Sequence, residues 1–307
     1  MNVMLLGAAG FIGTNLALQL SKRKEDIITL VDVCEDYFAP VLKEVPNIRL
    51  AQHAFSEDAD FDGLLSGQQI VYHLVSTTVP TNSNQQIAQE LSANVVMTAR
   101  LLDACVRQKV QKVIFISSGG TVYGKEITCP ITEDATTNPI SSYGIQKLTI
   151  EKLLYLYHYM HGLDYRVVRL ANPYGPYQRP NGVLGAVTTF TYKALMDEPI
   201  CVYGDGSVVR DFIYIDDAVR GIENIASSDS AYKTFNLGSG CGISIRQVLQ
   251  TVEQVLGKPL NIQYLPGRSV DVPMNYLDIS RYETVCGALA PVSLAEGIRQ
   301  TADFLKK

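Results

Sequence analysis

Short runs of Val, Ile and Leu punctuate the first half of the chain: Val3 to Leu6, Ile27 to Val31, Ile70 to Leu74, Val113 to Ile116 and Arg166 to Leu170. None alternates apolar with polar as a strand with one wet face does, so each reads as a strand covered on both sides in a parallel sheet. Between them the apolar positions change to helical spacing, at Leu16, Ala17 and Leu20 and again at Leu91, Val95, Ala99, Leu102 and Val106. Strand and helix in alternation predict a doubly wound α/β sheet with right-handed crossovers. From about residue 171 the texture changes, and Pro173, Pro176, Pro180, Gly182, Pro199, Gly204 and Gly206 cut the chain into loops and short elements. The expected division is residues 1–170 for the sheet and 171–307 mainly for a smaller α/β lobe, with some segments returning to the first unit and a cleft between the two.

The 307 residues are 47% hydrophobic and 19% charged, with 26 Lys and Arg against 31 Asp and Glu for a net charge of −5. Chains of this length and composition fold into a sizeable core. No basic tract or stripe offers a footprint for nucleic acid or an anionic membrane. Apolar runs stay far below the roughly 20 residues of a membrane span, and Met1 to Gly13 lacks the basic start and unbroken apolar centre of a signal segment. The six cysteines (Cys34, Cys105, Cys129, Cys201, Cys241 and Cys286) are scattered without CxxC or metal-like spacing. That pattern suits a reducing compartment and a cytoplasmic protein.

Gly7-Ala-Ala-Gly10-Phe-Ile-Gly13 follows the first strand and opens the first helix. In that context the glycines give a tight turn (Gly7), close approach of backbone to a pyrophosphate (Gly10) and close helix–strand packing (Gly13), with free N–H groups of the helix start facing the anion. Asp32 closes the second strand, where its carboxylate can accept both hydroxyls of a ribose and repel a 2′-phosphate. The expectation is a Rossmann-type sheet that binds NAD in preference to NADP.

Tyr143-Gly-Ile-Gln-Lys147 starts a helical segment, and the i to i+4 spacing puts phenol and ammonium on one face. A nearby lysine cation favours phenolate, so Tyr143 is expected to titrate below its ordinary value and to exchange a proton with a sugar hydroxyl.

With these pieces in view the chain resembles the extended short-chain dehydrogenase/reductase family, in its nucleotide-sugar epimerase/dehydratase group. The resemblance spans nearly the whole chain and rests further on Asn94, Tyr123-Gly124, Asn172-Pro-Tyr-Gly-Pro176, Arg210-Asp-Phe-Ile-Tyr, Asn236-Leu-Gly-Ser-Gly240 and Arg268-Ser-Val-Asp271. It implies that Phe11 and Ile12 lie over the NAD pyrophosphate. Leu74, Val75 and Ser76 line the ribose on the nicotinamide side, Asn94 braces the central strands beside the cofactor, and Lys147 bonds the nicotinamide ribose. In the lobe it implies that Asn172, Arg210 and Arg268 hold the substrate diphosphate and Asp271 its nucleoside ribose. Guanidinium forks suit phosphate oxygens.

The chain also departs from the family. Four residues before Tyr123, where a catalytic Ser or Thr is usual, stands Gly119, so Ser118, Thr121 or a water is expected to supply the hydroxyl. The acidic residues of dehydratases and decarboxylases are replaced by Gly120 and Thr121, which disfavours elimination and decarboxylation. His53 stands near the usual adenine-binding Asp, which shifts adenine contacts toward the backbone of Ala54 or Phe55. Asn275 replaces a bulky Tyr beside the sugar's C2 substituent, leaving room for an N-acetyl group.

The resemblance therefore implies an isomerase of the UDP-glucose 4-epimerase kind, acting on a UDP-hexose or UDP-N-acetylhexosamine through a 4-keto intermediate with tightly held NAD. A 4-keto-sugar nucleotide reductase and an idle NAD-binding regulator are the rivals, and Gly119 is the argument for the second. His158 and His161 lack a third ligand and read as helix-face residues with no metal. The long helices near 91–109 and 143–161 are expected to pair across a two-fold axis in a homodimer.

Overall fold

The computed structural model describes residues 1–78, 83–180, 185–267 and 272–306. Seven parallel strands form the main sheet: β1 (Asn2–Leu6), β2 (Ile27–Asp32), β3 (Ile48–Gln52), β4 (Ile70–His73), β5 (Lys112–Ser118), β6 (Asp164–Leu170) and β10 (Thr234–Leu237). Their order is β10-β6-β5-β4-β1-β2-β3, so the winding direction reverses between β1 and β4. Doubly wound sheets bind ligands at the carboxyl ends of the strands beside such a reversal.

The central strands are mostly apolar because both of their faces are covered. Along β1, Val3 and Leu5 enter the core on one side while Met4 and Leu6 enter it on the other; in β5, Ile114 and Ile116 oppose Val113 and Phe115 in the same way. Two strands were not among the apolar runs. β3 is a half-exposed edge strand with Arg49 and Gln52 facing solvent. β10 comes from the Gly/Pro-rich half and pairs with β6 in register Phe235 to Val168.

Among the described residues seven helices have ten residues or more: α1 (Phe11–Leu20), α2 (Met97–Arg107), α3 (Ser142–His161), α4 (Ala186–Leu195), α5 (Ile215–Ser227), α6 (Ile245–Leu256) and α7 (Leu294–Leu305). α2 and α3 cover one face of the sheet, contributing Leu101, Leu102, Ile150 and Leu154. α1 and α5 cover the other face, through Leu16, Leu20, Ile222 and Ile225. That second core runs without a break into the lobe, where it takes in Val187, Phe190, Ile200, Phe212 and Leu249.

The lobe carries two small sheets. In one, β9 (Val209–Tyr214) pairs with β7 (Asn172–Tyr174), β11 (Gly242–Ser244) and β13 (Met274–Asn275); the other joins β8 (Ile200–Tyr203) to β12 (Ile262–Leu265). No helix among the described residues is long and apolar enough to cross a membrane.

Candidate active site

Two adjoining cavities, of about 750 and 580 Å³, open at the carboxyl ends of β1 and β4. Gly7, Gly10, Phe11, Leu74, Ser76 and Gln178 line both and form the neck between them.

The neck is built by the glycine turn. Gly7 has φ +79° and donates its N–H to the Val31 carbonyl at 2.9 Å, folding the chain back as it leaves β1. A Cβ on Gly13 would lie 2.6 Å from the Ala8 backbone, so only glycine lets α1 pack this close. No side chain caps the α1 N-terminus at Gly10, and Phe11 and Ile12 face the larger cavity. An uncapped helix start in a cleft is an anion cradle. Asp32 lines the smaller cavity. One carboxylate oxygen accepts the Ala9 N–H at 2.9 Å and the other the Val33 N–H at 2.8 Å, which fixes the group and leaves lone pairs for ribose hydroxyls. His53, Ala54 and Phe55 are on the same wall, with Val75. These groups fit an adenosine diphosphate half of a dinucleotide.

The larger cavity brings Tyr143, Lys147, Ser117 and Ser118 from the sheet side against Asn172 and Arg210 from the lobe. α3 starts on Ser141, whose hydroxyl accepts the Gly144 N–H, and this sets where the helix begins and how Tyr143 faces. Lys147 is buried. Its Nζ donates to the Ile116 carbonyl at 2.9 Å, 4.7 Å from the Phe115 ring centroid and 5.5 Å from that of Tyr143. Burial lowers the ammonium to about 8, with the charge of Glu151 opposing the shift. The expected lowering of Tyr143 is not found. Desolvation pushes the phenol up to about 12, because leaving water penalises phenolate more than a lysine beside the ring supports it.

Of the two hydroxyls weighed for the place of Gly119, Ser118 lines the cavity. Thr121 does not: its Oγ1 is buried and without a partner, behind the start of α3. Gly119 itself packs against Leu277. Asn94 braces something other than the strands. It sits in a π turn, Ser92–Val96, and ties the loop after β4 to α3: its Oδ1 accepts the Thr77 N–H, and its Nδ2 donates to Thr77 Oγ1 and Gln146 Oε1. The amide therefore fixes the loop that bears Ser76 and Thr78 on the cavity wall. Asn275 is not on that wall. It is 2% exposed and donates to the Gly119 carbonyl at 3.4 Å, so it supports the segment after β5 from beneath and sets no room beside a sugar.

In the lobe, Asn172 Nδ2 donates to the Asp211 carbonyl, and Arg210 Nη1 donates to the carbonyls of Val209 and Val272. These bonds hold both side chains at the cavity edge. Arg268 and Asp271 lie outside the described residues. The neighbouring motif residues are scaffold: Asp211 is fully buried and accepts from Ser239 and Leu277, while Asn236 accepts from the Tyr123 hydroxyl at 2.6 Å. His158 bonds the Leu163 carbonyl, and no metal-binding cluster exists among the described residues.

Other cavity residues belong to none of the sequence motifs. Thr78, Gln178, Thr189, Lys193 and the β8 residues Cys201 to Tyr203 line the larger cavity. The β8 run Ile-Cys-Val-Tyr ahead of Gly204 was the available clue.

A dinucleotide cradle at the reversal of a parallel sheet, joined to a Tyr/Lys pair facing a lobe arginine, defines a short-chain dehydrogenase-type enzyme of the extended kind. The chain belongs to the NAD dependent epimerase/dehydratase family, whose model matches residues 3–238. It is 32% identical over 310 residues to a UDP-glucose 4-epimerase of Mycolicibacterium smegmatis, covering 100% of this chain and 99% of that one. It is 30% identical to a dTDP-4-dehydro-6-deoxyglucose reductase of Escherichia coli over 96% and 95% of the two chains. The UDP-glucose 4-epimerase of Thermotoga maritima, solved with UDP-glucose, superimposes with a TM-score of 0.92 at 30% identity, covering 100% of this chain and 99% of that chain.

Proposed function

We propose that this protein is an NAD-dependent nucleotide-sugar 4-epimerase acting on a UDP-hexose or UDP-N-acetylhexosamine. The observation that carries the reading is the single cavity in which Tyr143 and Lys147 face Asn172 and Arg210 across a space continuous with the Asp32 pocket. The glycine turn, the α1 N-terminus and Asp32 would hold the dinucleotide, with Asp32 rejecting a 2′-phosphate. NAD, when bound, supplies a reversible hydride acceptor. Tyr143 removes the proton from the sugar 4-hydroxyl and returns it after the 4-keto sugar has turned its other face. Lys147 stabilises the phenolate, Ser118 hydrogen-bonds the reacting oxygen, and Asn172 and Arg210 hold the diphosphate. Binding energy at the nucleotide retains the intermediate while the hexose stays loose enough to rotate.

The test is incubation of purified protein, without added cofactor, with UDP-Glc, UDP-Gal, UDP-GlcNAc, UDP-GalNAc and UDP-GlcA, reading C4 epimers by NMR. We expect interconversion of at least one pair, and its loss in Tyr143→Phe with NAD still bound. No turnover of any of the five sinks the reading. The reductase relative favours one second reading, a 4-keto-sugar reductase, which would consume reduced cofactor in proportion to product. A homodimer through α3 belongs to the same proposal, since Tyr155, Tyr159 and Met160 are 59%, 79% and 59% exposed along one helix.

A further inference from the structure

Tyr143 and Lys147 are followed at the same spacing by a third polar residue that looks toward the sheet. Glu151 is 5% exposed, and its carboxylate accepts from three donors: Ser117 Oγ at 2.5 Å, Arg169 Nε at 3.1 and 3.3 Å, shared between both oxygens, and Arg169 Nη2 at 2.7 Å. Arg169 is itself fixed, donating to the Tyr123 hydroxyl and the Glu133 carbonyl. Ser117 is the cavity residue beside Ser118.

We propose that Glu151 is a positioning residue for the reaction: its charge keeps the Lys147 ammonium protonated in the interior, and its bonds to Ser117 and Arg169 anchor the catalytic face of α3 to the ends of β5 and β6. The proposal rests on the epimerase reading but concerns a property of the protein that can be measured without a sugar.

The surroundings of Lys147 give it little other support. Among the described residues its Nζ makes one hydrogen bond, to a backbone carbonyl, and no carboxylate lies within ion-pair distance. From β5 it meets the apolar Phe115 ring. From β4 it faces His73, which burial and the Lys147 charge hold neutral. Arg169 of β6 points its guanidinium at Glu151, and on α3 itself Tyr143 is the other titratable neighbour. Glu151, one turn further along the same buried face of α3, is the carboxylate whose charge opposes the effect of burial on Lys147. A buried ammonium reverts to the neutral amine unless such a charge is near, and a neutral Lys147 gives phenolate no partner. Arg169 keeps Glu151 ionised and oriented.

The experiment uses NAD-loaded protein with lysine labelled at Cε with ¹³C, following the pH midpoint of Lys147 by NMR and assigning its signal by comparison with Lys147→Arg. Glu151→Gln should lower the midpoint by roughly one pH unit, and the alkaline limb of kcat/KM should move with it. Glu151→Asp, which keeps the charge, should restore both. Because Glu151→Gln leaves Arg169 unpaired in the interior, a second variant, Glu151→Leu with Arg169→Met, removes both charges and should show a lowered midpoint as well, by less than Glu151→Gln because the repelling cation is gone too. An unchanged midpoint in either folded variant overturns the proposal. So does failure of both to fold, which would make the pair a requirement of the fold first. Absence of turnover from the unmodified enzyme would sink the epimerase reading and leave the midpoint result standing.

Discussion

Position 119 has no space for a hydroxyl. A Cβ built there would stand 2.6 Å from Leu277 Cδ1 and 3.1 Å from the Arg169 carbonyl, and Leu277 is completely buried. Gly119→Ser should therefore cost about 1 to 3 kcal/mol of stability through overpacking. In the proposed reaction the hydroxyl beside the reacting oxygen is that of Ser118, and Ser118→Ala should lower kcat about 100-fold, in the range of a lost proton-transfer partner, with NAD content unchanged. Thr121→Val removes a buried hydroxyl that has no hydrogen-bond partner among the described residues. It should leave turnover alone and raise stability by up to about 1 kcal/mol in urea unfolding; equal losses of turnover in the two variants would refute the assignment. Tyr143, Lys147 and Asp32 were legible because their chemistry is written in local spacing. Asn275 was not, because what it does is decided by a carbonyl 156 positions away in the chain.

Strand β4 ends on a residue that makes the whole element sensitive to acid. His73 is 1% exposed, with its ring 5.4 Å from those of Phe55 and Phe115. Thr98 spends its hydroxyl proton on the Asn94 carbonyl, so Thr98 Oγ1 accepts from His73 Nε2–H at 2.8 Å, and Nδ1 is left deprotonated with no partner. Burial lowers the imidazole from 6.5 to about 3. The sign follows from proton uptake: between these values the unfolded chain binds a proton that the folded chain refuses. Stability is thus intact above pH 6.5 and falls as pH drops toward 3, by a few kcal/mol over the range. Urea midpoints measured from pH 7 to pH 4 should show this slope and should lose most of it in His73→Leu. At this scale the sequence was readable where strands are buried on both faces, as in β1, β2, β4, β5 and β6. It was silent on β3, whose edge position mixes Arg49 and Gln52 into the pattern. It was silent also on β10, a short strand recruited from more than sixty residues beyond β6 in the chain, as the bounds of the two show.

At the scale of the whole molecule, the proposed dimer would form on the exposed outer face of α3. Tyr159→Glu with Met160→Glu should convert a dimer to monomers in sedimentation velocity without altering NAD content; a wild-type protein that sediments as a monomer would remove the dimer from the proposal. The other large-scale feature is the core that passes from the sheet into the lobe. α5 and β10 both lie beyond residue 171, yet α5 shields one face of the sheet and β10 hydrogen-bonds along β6. The apparent seam in the sequence is therefore not a place where the molecule can be severed. A fragment ending at 170 would be born with a bare oily flank and an open strand edge, and it should precipitate on expression where the intact chain remains in solution.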